Sequence, residues 1–271
     1  MLANQLTNLK NQVPLVHSIT NYVTANDCAN IVIACGGSPI MADEIQEVAE
    51  ISKMASALNI NIGTINERTL EAMLVAGKSA NLNQCPIILD PVGIGASTYR
   101  LDAVKKLLNE INFTAIKGNL SEIKALAAQH FNSYGVDSSD QITTENLPQT
   151  IQFARNLAQS THAIIIISGR IDIVTNQSST YLIKNGDPMM SQLSGTGCML
   201  SAMTGAFLGA NSDPLAACVA SVCAMGVAGK KAALKLQPDQ GNLTFKNYLF
   251  DEIYTLSPEK LENEAQYELF K

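Results

Sequence analysis

The stretch Ala163-Ile-Ile-Ile-Ile-Ser168-Gly169 limits the fold more narrowly than any other part of the sequence. Four consecutive β-branched residues favour a strand, and a strand without polar alternation is typical of one buried on both faces. Serine and glycine directly after the run indicate where the strand ends. The stretch therefore predicts a central strand of a parallel sheet.

Shorter apolar runs alternate with helical patterns along the rest of the chain. We predict strands at 60–64, 86–92 and 114–119, and an antiparallel pair at 172–175 and 179–184. Predicted helices cover 42–58, 67–82, 101–110, 121–129 and 147–160, and two apolar helices lie within 198–236, broken near 211–214. This alternation predicts an α/β fold, one domain over 1–271, with a mostly parallel central sheet and helices on both faces.

Composition excludes several classes of protein. The 271 residues are 46% hydrophobic with a net charge of -6, so a large core is expected and a basic nucleic-acid-binding surface is not. We expect no membrane association, because no apolar run reaches transmembrane length and the N-terminus lacks the apolar region of a signal peptide. The six cysteines are scattered without a CxxC pair, which argues against zinc or disulfides and favours the cytoplasm.

A glycine-rich turn, Ser194-Gly195-Thr196-Gly197, leads into Cys198 and an apolar helix predicted to start near that residue. Two glycines let backbone N–H groups approach a ligand, and a helix N-terminus adds unsatisfied donors and partial positive charge. Such a turn can hold a phosphate. Helix N-termini also favour cysteine thiolates, so Cys198 could act as a base. The alternative is an ordinary tight turn followed by a buried cysteine.

Two acids follow predicted strands. Asp90 ends the strand at 86–92, and Glu122 lies in Asn119-Leu-Ser-Glu122 after the next strand. Carboxylates at this edge of a sheet can hold Mg²⁺ through water. The alternatives are a turn residue before Pro91 for Asp90 and a helix cap for the pair Asn119 and Glu122.

A pocket for a neutral ring compound is predicted near the N-terminus. Asn21 follows an apparent strand, and Met41 follows a turn forced by Gly36, Gly37 and Pro39. An amide, a methionine and backbone donors fit a small, partly apolar pocket. His17 and Met41 are alternatively a hydrogen-bonded structural histidine and a core residue.

Taken together, these motifs resemble the hydroxyethylthiazole kinase family of the ribokinase-like superfamily, over nearly the whole chain and in the right order. The resemblance is carried by Asn21, Gly-Gly-Ser-Pro-Ile-Met41-Ala, Asn61-Ile-Gly-Thr64, Leu89-Asp-Pro-Val-Gly-Ile-Gly-Ala96, Lys117-Gly-Asn-Leu-Ser-Glu122, Ile167-Ser-Gly169 and Ser194-Gly-Thr-Gly-Cys198. Most relatives in the superfamily have aspartate where this chain has Cys198, so the cysteine is the most specific of these features.

The resemblance implies ATP-dependent phosphorylation of the alcohol of 4-methyl-5-(2-hydroxyethyl)thiazole in thiamine biosynthesis or salvage. It implies Mg²⁺ and a homotrimer with active sites at subunit interfaces. The implied roles are Cys198 as base, thiazole binding by Asn21, Met41 and Gly195, ATP binding by Lys117, Ser168 and Gly197, and metal binding by Asp90 and Glu122.

Two positions depart from the family pattern. Lys117 replaces a common arginine and keeps the charge without the bidentate geometry, and Ser168 replaces a common threonine and keeps the hydroxyl. Two other functions stay open at this point. One is a kinase of the same fold for another small alcohol, such as a hydroxymethylpyrimidine or a sugar, and the other is an inactive ligand-binding regulator.

Overall fold

The computed structural model describes residues 1–131, 142–143 and 145–270. Its strands are β1 Leu15–Ile19, β2 Ser38–Ile40, β3 Ala57–Asn61, β4 Ile87–Asp90, β5 Ala115–Asn119, β6 Ile164–Ser168, β7 Asp172–Thr175, β8 Thr180–Ile183 and β9 Tyr267–Phe270. Its helices are α1 Leu2–Gln12, α2 Ala25–Cys35, α3 Val48–Met54, α4 Glu67–Leu82, α5 Thr98–Glu110, α6 Leu120–Phe131, α7 Leu147–Thr161, α8 Thr196–Gly209, α9 Pro214–Lys235, α10 Asn242–Tyr254 and α11 Pro258–Glu264.

One sheet organises these elements, in the order β2-β1-β3-β4-β5-β6-β7-β8-β9. The first six strands run parallel, and β7, β8 and β9 are antiparallel. The mostly parallel sheet and the antiparallel pair at β7 and β8 are therefore confirmed.

Helices cover both faces, as predicted, and the isoleucine run of β6 shows why. Ile164 and Ile166 point into the core shared with α1, α2 and α8 to α11, while Ile165 and Ile167 point into the core shared with α3 to α7. Because successive side chains of a strand point to opposite faces, a run without polar residues fills both cores at once.

Some boundaries differ from the predictions. The predicted helix at 42–58 is wrong over most of its length: only Val48–Met54 is helical, and Ala57 already belongs to β3. Strand β3 ends at Asn61, three residues before the predicted end, and α8 begins at Thr196 rather than near Cys198. The break between the two apolar helices at 211–214 is confirmed.

Helix α9 shows that the expectation of no apolar run of transmembrane length was wrong. Its 22 residues are long and apolar enough to cross a membrane, but 83% of the apolar window is buried inside the fold. Its apolar character on all sides is explained by its place between α8, α10 and the sheet.

Candidate functional site

The carboxyl ends of the parallel strands gather most of the polar residues singled out above. The register of β3 against β4 puts Asn61 opposite Asp90, and that of β5 against β6 puts Asn119 opposite Ser168. Asn21 follows β1 at the same edge. Ligands of open parallel sheets bind at this edge, so it is the candidate active site.

The glycine turn lies against this edge and begins α8. Gly195 is the residue preceding the helix, with φ 90°, and a Cβ there would lie 2.5 Å from Thr24 Cγ2. Glycine is therefore required at 195, because the positive φ disfavours other residues and a side chain there would clash with Thr24. No described side chain caps α8, so N–H groups of its first turn are available to an anion.

Lys117 and Asp90 form a buried ion pair beneath the turn. Lys117 Nζ lies 3.3 Å from Asp90 Oδ2, and the two side chains are 4% and 0% exposed. A Cβ on Gly197 would lie 2.9 Å from Lys117 Nζ, so the ammonium touches the start of α8. The predicted phosphate-binding turn and the predicted ATP-binding lysine are thus neighbours.

Asp90 is held by three donors on one oxygen. Its Oδ2 accepts from Ser201 Oγ at 2.6 Å, Asn61 Nδ2 at 3.1 Å and Lys117 Nζ. Its Oδ1 is buried without a partner among the residues that the structure describes. Burial raises the pKa of Asp90, and Lys117 and Ser201 offset this only in part.

Lys117 remains protonated in this environment. Burial alone favours the neutral amine, but the carboxylates of Asp90 and Glu122 outweigh it and raise the pKa of Lys117. The edge therefore holds a fixed positive charge beside the turn, which is suited to phosphate oxygens.

Glu122 serves as part of a helix cap, the alternative considered from the sequence. Its Oε2 accepts from Asn119 N at 2.8 Å, while Asn119 Oδ1 accepts from Glu122 N at 2.9 Å. Its Oε1 accepts from Gly93 N at 2.9 Å, which ties the loop after β4 to α6. These contacts fix the carboxylate in place, and each oxygen retains lone pairs for a further partner.

Cys198 lies in the first turn of α8 and is 8% exposed. Its Sγ lies 3.3 Å from Asn21 Nδ2, so these two predicted site residues touch. Asn21 Nδ2 also donates to Asn61 Oδ1 at 3.0 Å, which joins Cys198 to Asp90 through two asparagine side chains.

Met41 is half-buried beside the core under α2 and α8, directly after β2. The segment that carries it is held by His17, whose Nε2 donates to Ala42 O at 2.8 Å and whose Nδ1 lies 2.9 Å from Ser52 Oγ. Burial lowers the pKa of His17, and the bond to Ala42 offsets this in part. His17 is therefore a structural histidine, as in the alternative considered above.

Ser168 ends β6 and donates to Gly118 O at 3.4 Å. The next residue, Gly169, donates its N–H to Asp172 Oδ1 at 2.8 Å. Burial raises the pKa of Asp172 to about 7, and the Gly169 N–H and Lys117 offset it in part. Ser168 thus lies at the same sheet edge as Lys117, two residues along the neighbouring strand from it.

Sequence reasoning assigned no role to Asn61, Ser201 or Arg100. The Arg100 guanidinium donates to Ile62 O, Val92 O and Gly63 O at 2.7–2.8 Å and so fastens the loops after β3 and β4 together. A polar residue at the end of an apolar strand is the signal that could have indicated Asn61. Ser201 and Arg100 gave no such signal, because each lies on a helix among unremarkable neighbours.

Comparison with known proteins assigns this arrangement to a family. The model of the "Hydroxyethylthiazole kinase family" matches residues 6–259. The hydroxyethylthiazole kinase of Clostridium acetobutylicum is 51% identical over 273 residues, covering 100% of both chains. The chain belongs to the hydroxyethylthiazole kinase family.

Solved structures agree with this hydroxyethylthiazole kinase assignment. The hydroxyethylthiazole kinase protein of Pyrococcus horikoshii OT3 superposes with a TM-score of 0.90 at 29% identity, covering 100% of this chain and 99% of that one. A ribokinase-like superfamily protein of Enterococcus faecalis has a TM-score of 0.58 at 12% identity, covering 92% of this chain and 89% of that one, which shows a shared fold. The predicted family and the ribokinase-like fold are both confirmed, and the chain is a kinase by family.

Proposed function

We propose that this chain transfers the γ-phosphoryl group of ATP to the hydroxyl of 4-methyl-5-(2-hydroxyethyl)thiazole, as one kinase domain over 1–271. The carrying observation is the start of α8, where uncapped N–H groups, the Lys117 ammonium and the Cys198 thiol lie together. Phosphoryl transfer needs an anion site next to a group that orients and deprotonates the acceptor, and this turn supplies both.

On the acceptor side, Met41 and Gly195 would contact the thiazole, in a pocket closed from below by Asn21. The half-buried Met41 offers an apolar wall, and Gly195 offers a backbone without a side chain close to Cys198. A small ring needs a mostly apolar pocket with few polar groups, which supports this assignment.

On the nucleotide side, Lys117, Ser168 and Gly197 would bind the phosphates of ATP. The charge of Lys117, the hydroxyl of Ser168 and the N–H groups beside Gly197 are the donor types that phosphate oxygens accept from. Lys117 gives a single charged contact where arginine would give two parallel bonds, so we expect tolerance of Lys117→Arg.

The donor set fits Mg²⁺ held jointly with the nucleotide. The described residues contain no group of three or more His, Cys, Asp or Glu side chains that could hold a metal alone. Mg²⁺ keeps several waters and commonly uses one or two carboxylates together with substrate phosphates. Asp90, whose Oδ1 has no partner among the described residues, and Glu122 would hold it through water. When bound, the ion neutralises charge on the phosphate oxygens.

The chemical step then follows from the residues. The thiazole hydroxyl oxygen bonds to the γ-phosphorus while the bond from that phosphorus to the oxygen bridging to ADP breaks. Cys198 enters the step as its thiolate and takes the hydroxyl proton on Sγ to become the thiol, and the amides at the start of α8 stabilise charge on the transferring oxygens. Positioning and these fixed donors contribute more than the base, because the transition state is loose.

We further propose a homotrimer with active sites at the interfaces, working in the cytoplasm. Tyr22 and Val23 expose 82% and 64% of their surface between Asn21 and α2, and Ile33 on α2 exposes 52%. Exposed apolar residues of this kind suit contact with a partner subunit. All six cysteines are free, which suits a reducing compartment. Light scattering tests the trimer, and a particle with the mass of one 29.0 kDa chain would contradict it.

The activity is tested by ADP release with ATP and the thiazole alcohol, with and without Mg²⁺. We expect release that requires both the alcohol and the metal, and a phosphorylated thiazole alcohol by mass spectrometry. A panel including a hydroxymethylpyrimidine and a sugar separates this function from that of a related kinase. Binding of ligands without ADP release would instead indicate a regulator.

A further inference from the structure

The orientation of the Asn21 side chain is set by backbone geometry. Asn21 Oδ1 lies 3.0 Å from Thr24 N, which can only donate, and it also accepts from Thr24 Oγ1 at 3.0 Å. The oxygen must therefore face Thr24, and the amide nitrogen must face the other way. Amide orientations are usually assigned from such networks, and here a backbone N–H decides.

Asn61 is fixed by the same logic. Its Oδ1 accepts from Gly63 N at 2.9 Å, so its oxygen faces Gly63 and also receives one hydrogen of Asn21 Nδ2. The second hydrogen of Asn21 Nδ2 is then directed at Cys198 Sγ, 3.3 Å away. Sulfur is thus the acceptor in this contact.

Asn21 has no polar capacity left over for a substrate. It is 4% exposed, both its amide hydrogens are donated within the protein, and its oxygen accepts twice. A hydrogen bond from Asn21 to the thiazole alcohol would have to break one of these four. The packing is tight as well, because a Cβ on Gly63 would lie 2.9 Å from Asn21 Cβ.

We propose that Asn21 is a positioning residue that acts through Cys198: it donates a hydrogen bond to Sγ and holds the sulfur ready to accept the proton of the acceptor hydroxyl. The amide N–H can bond only to a lone pair of Sγ, so it fixes the position of the sulfur and leaves the other lone pairs for the proton of the acceptor hydroxyl, which the thiolate takes. This inference rests on the proposed function in that Cys198 is the base. It replaces the substrate contact expected of Asn21 from the family resemblance.

The test measures Cys198 directly, in enzyme without substrates. In Asn21→Ala and Asn21→Asp, we expect the rate of alkylation of Cys198 by iodoacetamide, followed on its peptide by mass spectrometry, to fall about 10- to 100-fold, the scale of one hydrogen bond to a charged group. Asn21→Asp keeps the oxygen that faces Thr24 and removes both donated hydrogens. Thermal unfolding shows which of the two variants is folded, and alkylation is measured on the folded variant.

A matched control is available on β3. Asn59 is also fully buried, but its Nδ2 donates to Ser18 Oγ at 3.4 Å. Asn59→Ala should lose stability and leave Cys198 alkylation within about twofold of the parent, because it removes a buried hydrogen bond that does not reach the sulfur. An equal fall in Asn59→Ala would attribute the effect to general loosening and overturn the proposal.

Kinetics separate positioning from substrate binding. We expect Asn21→Ala to lower kcat with an unchanged KM for the thiazole alcohol, and to have no further effect on kcat in a Cys198→Ala background. A raised KM with normal alkylation, or a loss that persists without Cys198, would show that Asn21 acts on the substrate. Absence of any phosphorylated product in the parent enzyme would count against the proposed function, while the alkylation result would still decide the contact.

Discussion

The two ends of the parallel strands differ in what they offer a ligand. At the amino end, two cavities of about 330 and 760 Å³ share Thr114, His162 and Pro214 in their walls and are lined largely by amide and small side chains. At the carboxyl end, hydrogen bonds link five buried polar side chains: Cys198, Asn21, Asn61, Asp90 and Lys117.

These two cavities and the buried polar side chains therefore lie at opposite ends of the strands. None of the proposed site residues lines either amino-end cavity. Polar groups that are buried and oriented by backbone donors are costly to keep, and they are expected where they act on a ligand. We therefore assign function to the carboxyl end, and the experiments below test that contrast.

The largest effect is expected at Cys198. Cys198→Ala should lower kcat roughly 10²–10⁴-fold, the usual range for loss of a general base, with little change in KM for the thiazole alcohol. Cys198→Asp should stay active, because a carboxylate at this position can also accept the hydroxyl proton and the anion site is untouched. Steady-state kinetics with purified variants decide. Normal turnover in Cys198→Ala would make the cysteine a packing residue.

Glu122 gives the next largest effect, because both of its carboxylate oxygens accept backbone N–H groups, from Gly93 and Asn119. Glu122→Gln turns one acceptor into a donor facing a donor, so it should cost about 1–3 kcal/mol of stability as well as turnover.

A metal role is separated from the stability loss by a Mg²⁺ titration. If Glu122 holds the ion, the Mg²⁺ concentration for half-maximal rate should rise in Glu122→Gln. The control is Ser257→Ala, which removes the cap of α11, where Ser257 Oγ accepts from Lys260 N. It should cost about 1 kcal/mol and leave the Mg²⁺ requirement unchanged. Unchanged turnover of Glu122→Gln at saturating Mg²⁺ would rule out the metal role.

Asp172 provides a smaller, pH-dependent effect at the carboxyl end. Its pKa of about 7 in the fold lies above the ordinary 3.8, so the folded state binds the extra proton. The stability from this proton is complete below about pH 4 and is lost as pH rises through about 7. Asp172→Asn keeps the acceptor for Gly169 N and remains neutral.

Thermal unfolding across pH measures this effect. The Tm of Asp172→Asn should match the parent near pH 4 and exceed it by a few degrees at pH 8, with most of the gap opening between pH 5 and 7. Because Asp172 is partly exposed, solvent screening should keep this difference in Tm below the value that the full pKa shift of Asp172 would give. The exposed Asp239→Asn is the control and should follow the parent curve. A difference in Tm that does not change with pH would contradict the raised pKa of Asp172.

The fold could be predicted where the sequence pattern of a single strand or helix is sufficient to identify the element. The run in β6 predicts a strand buried on both faces, and the alternation before it predicts the parallel sheet. The end of the predicted helix at 42–58 is wrong because pairing of β3, which begins at Ala57, between β1 and β4 overrides the helical period there. Strand β9 was missed because, among the residues that the structure describes, it pairs with β8, more than 80 residues earlier.

The sequence singled out residues that the structure brings together, but it did not indicate the partners through which they are connected. Asp90, Lys117, Asn21 and Cys198 were all singled out, yet their connection runs through Asn61 and Ser201, to which sequence reasoning gave no role. Register between strands decides such contacts, and register is not visible in one strand. Glu122 shows the reverse case, since the spacing from Asn119 correctly indicated a cap.

The smallest effect is expected at the amino end, and it tests the contrast between the two ends most directly. His162 lines both cavities and has φ 56°, so His162→Asn suits the left-handed conformation there. Ser168, at the far end of β6, is six residue steps away from it, roughly 20 Å of extended chain. We therefore expect kcat and both KM values within about twofold of the parent, since no hydrogen-bonded group at the carboxyl end is moved. A fall in kcat like that of Cys198→Ala would show that the amino-end cavities take part in the reaction, and the assignment of function to the carboxyl end alone would have to be abandoned.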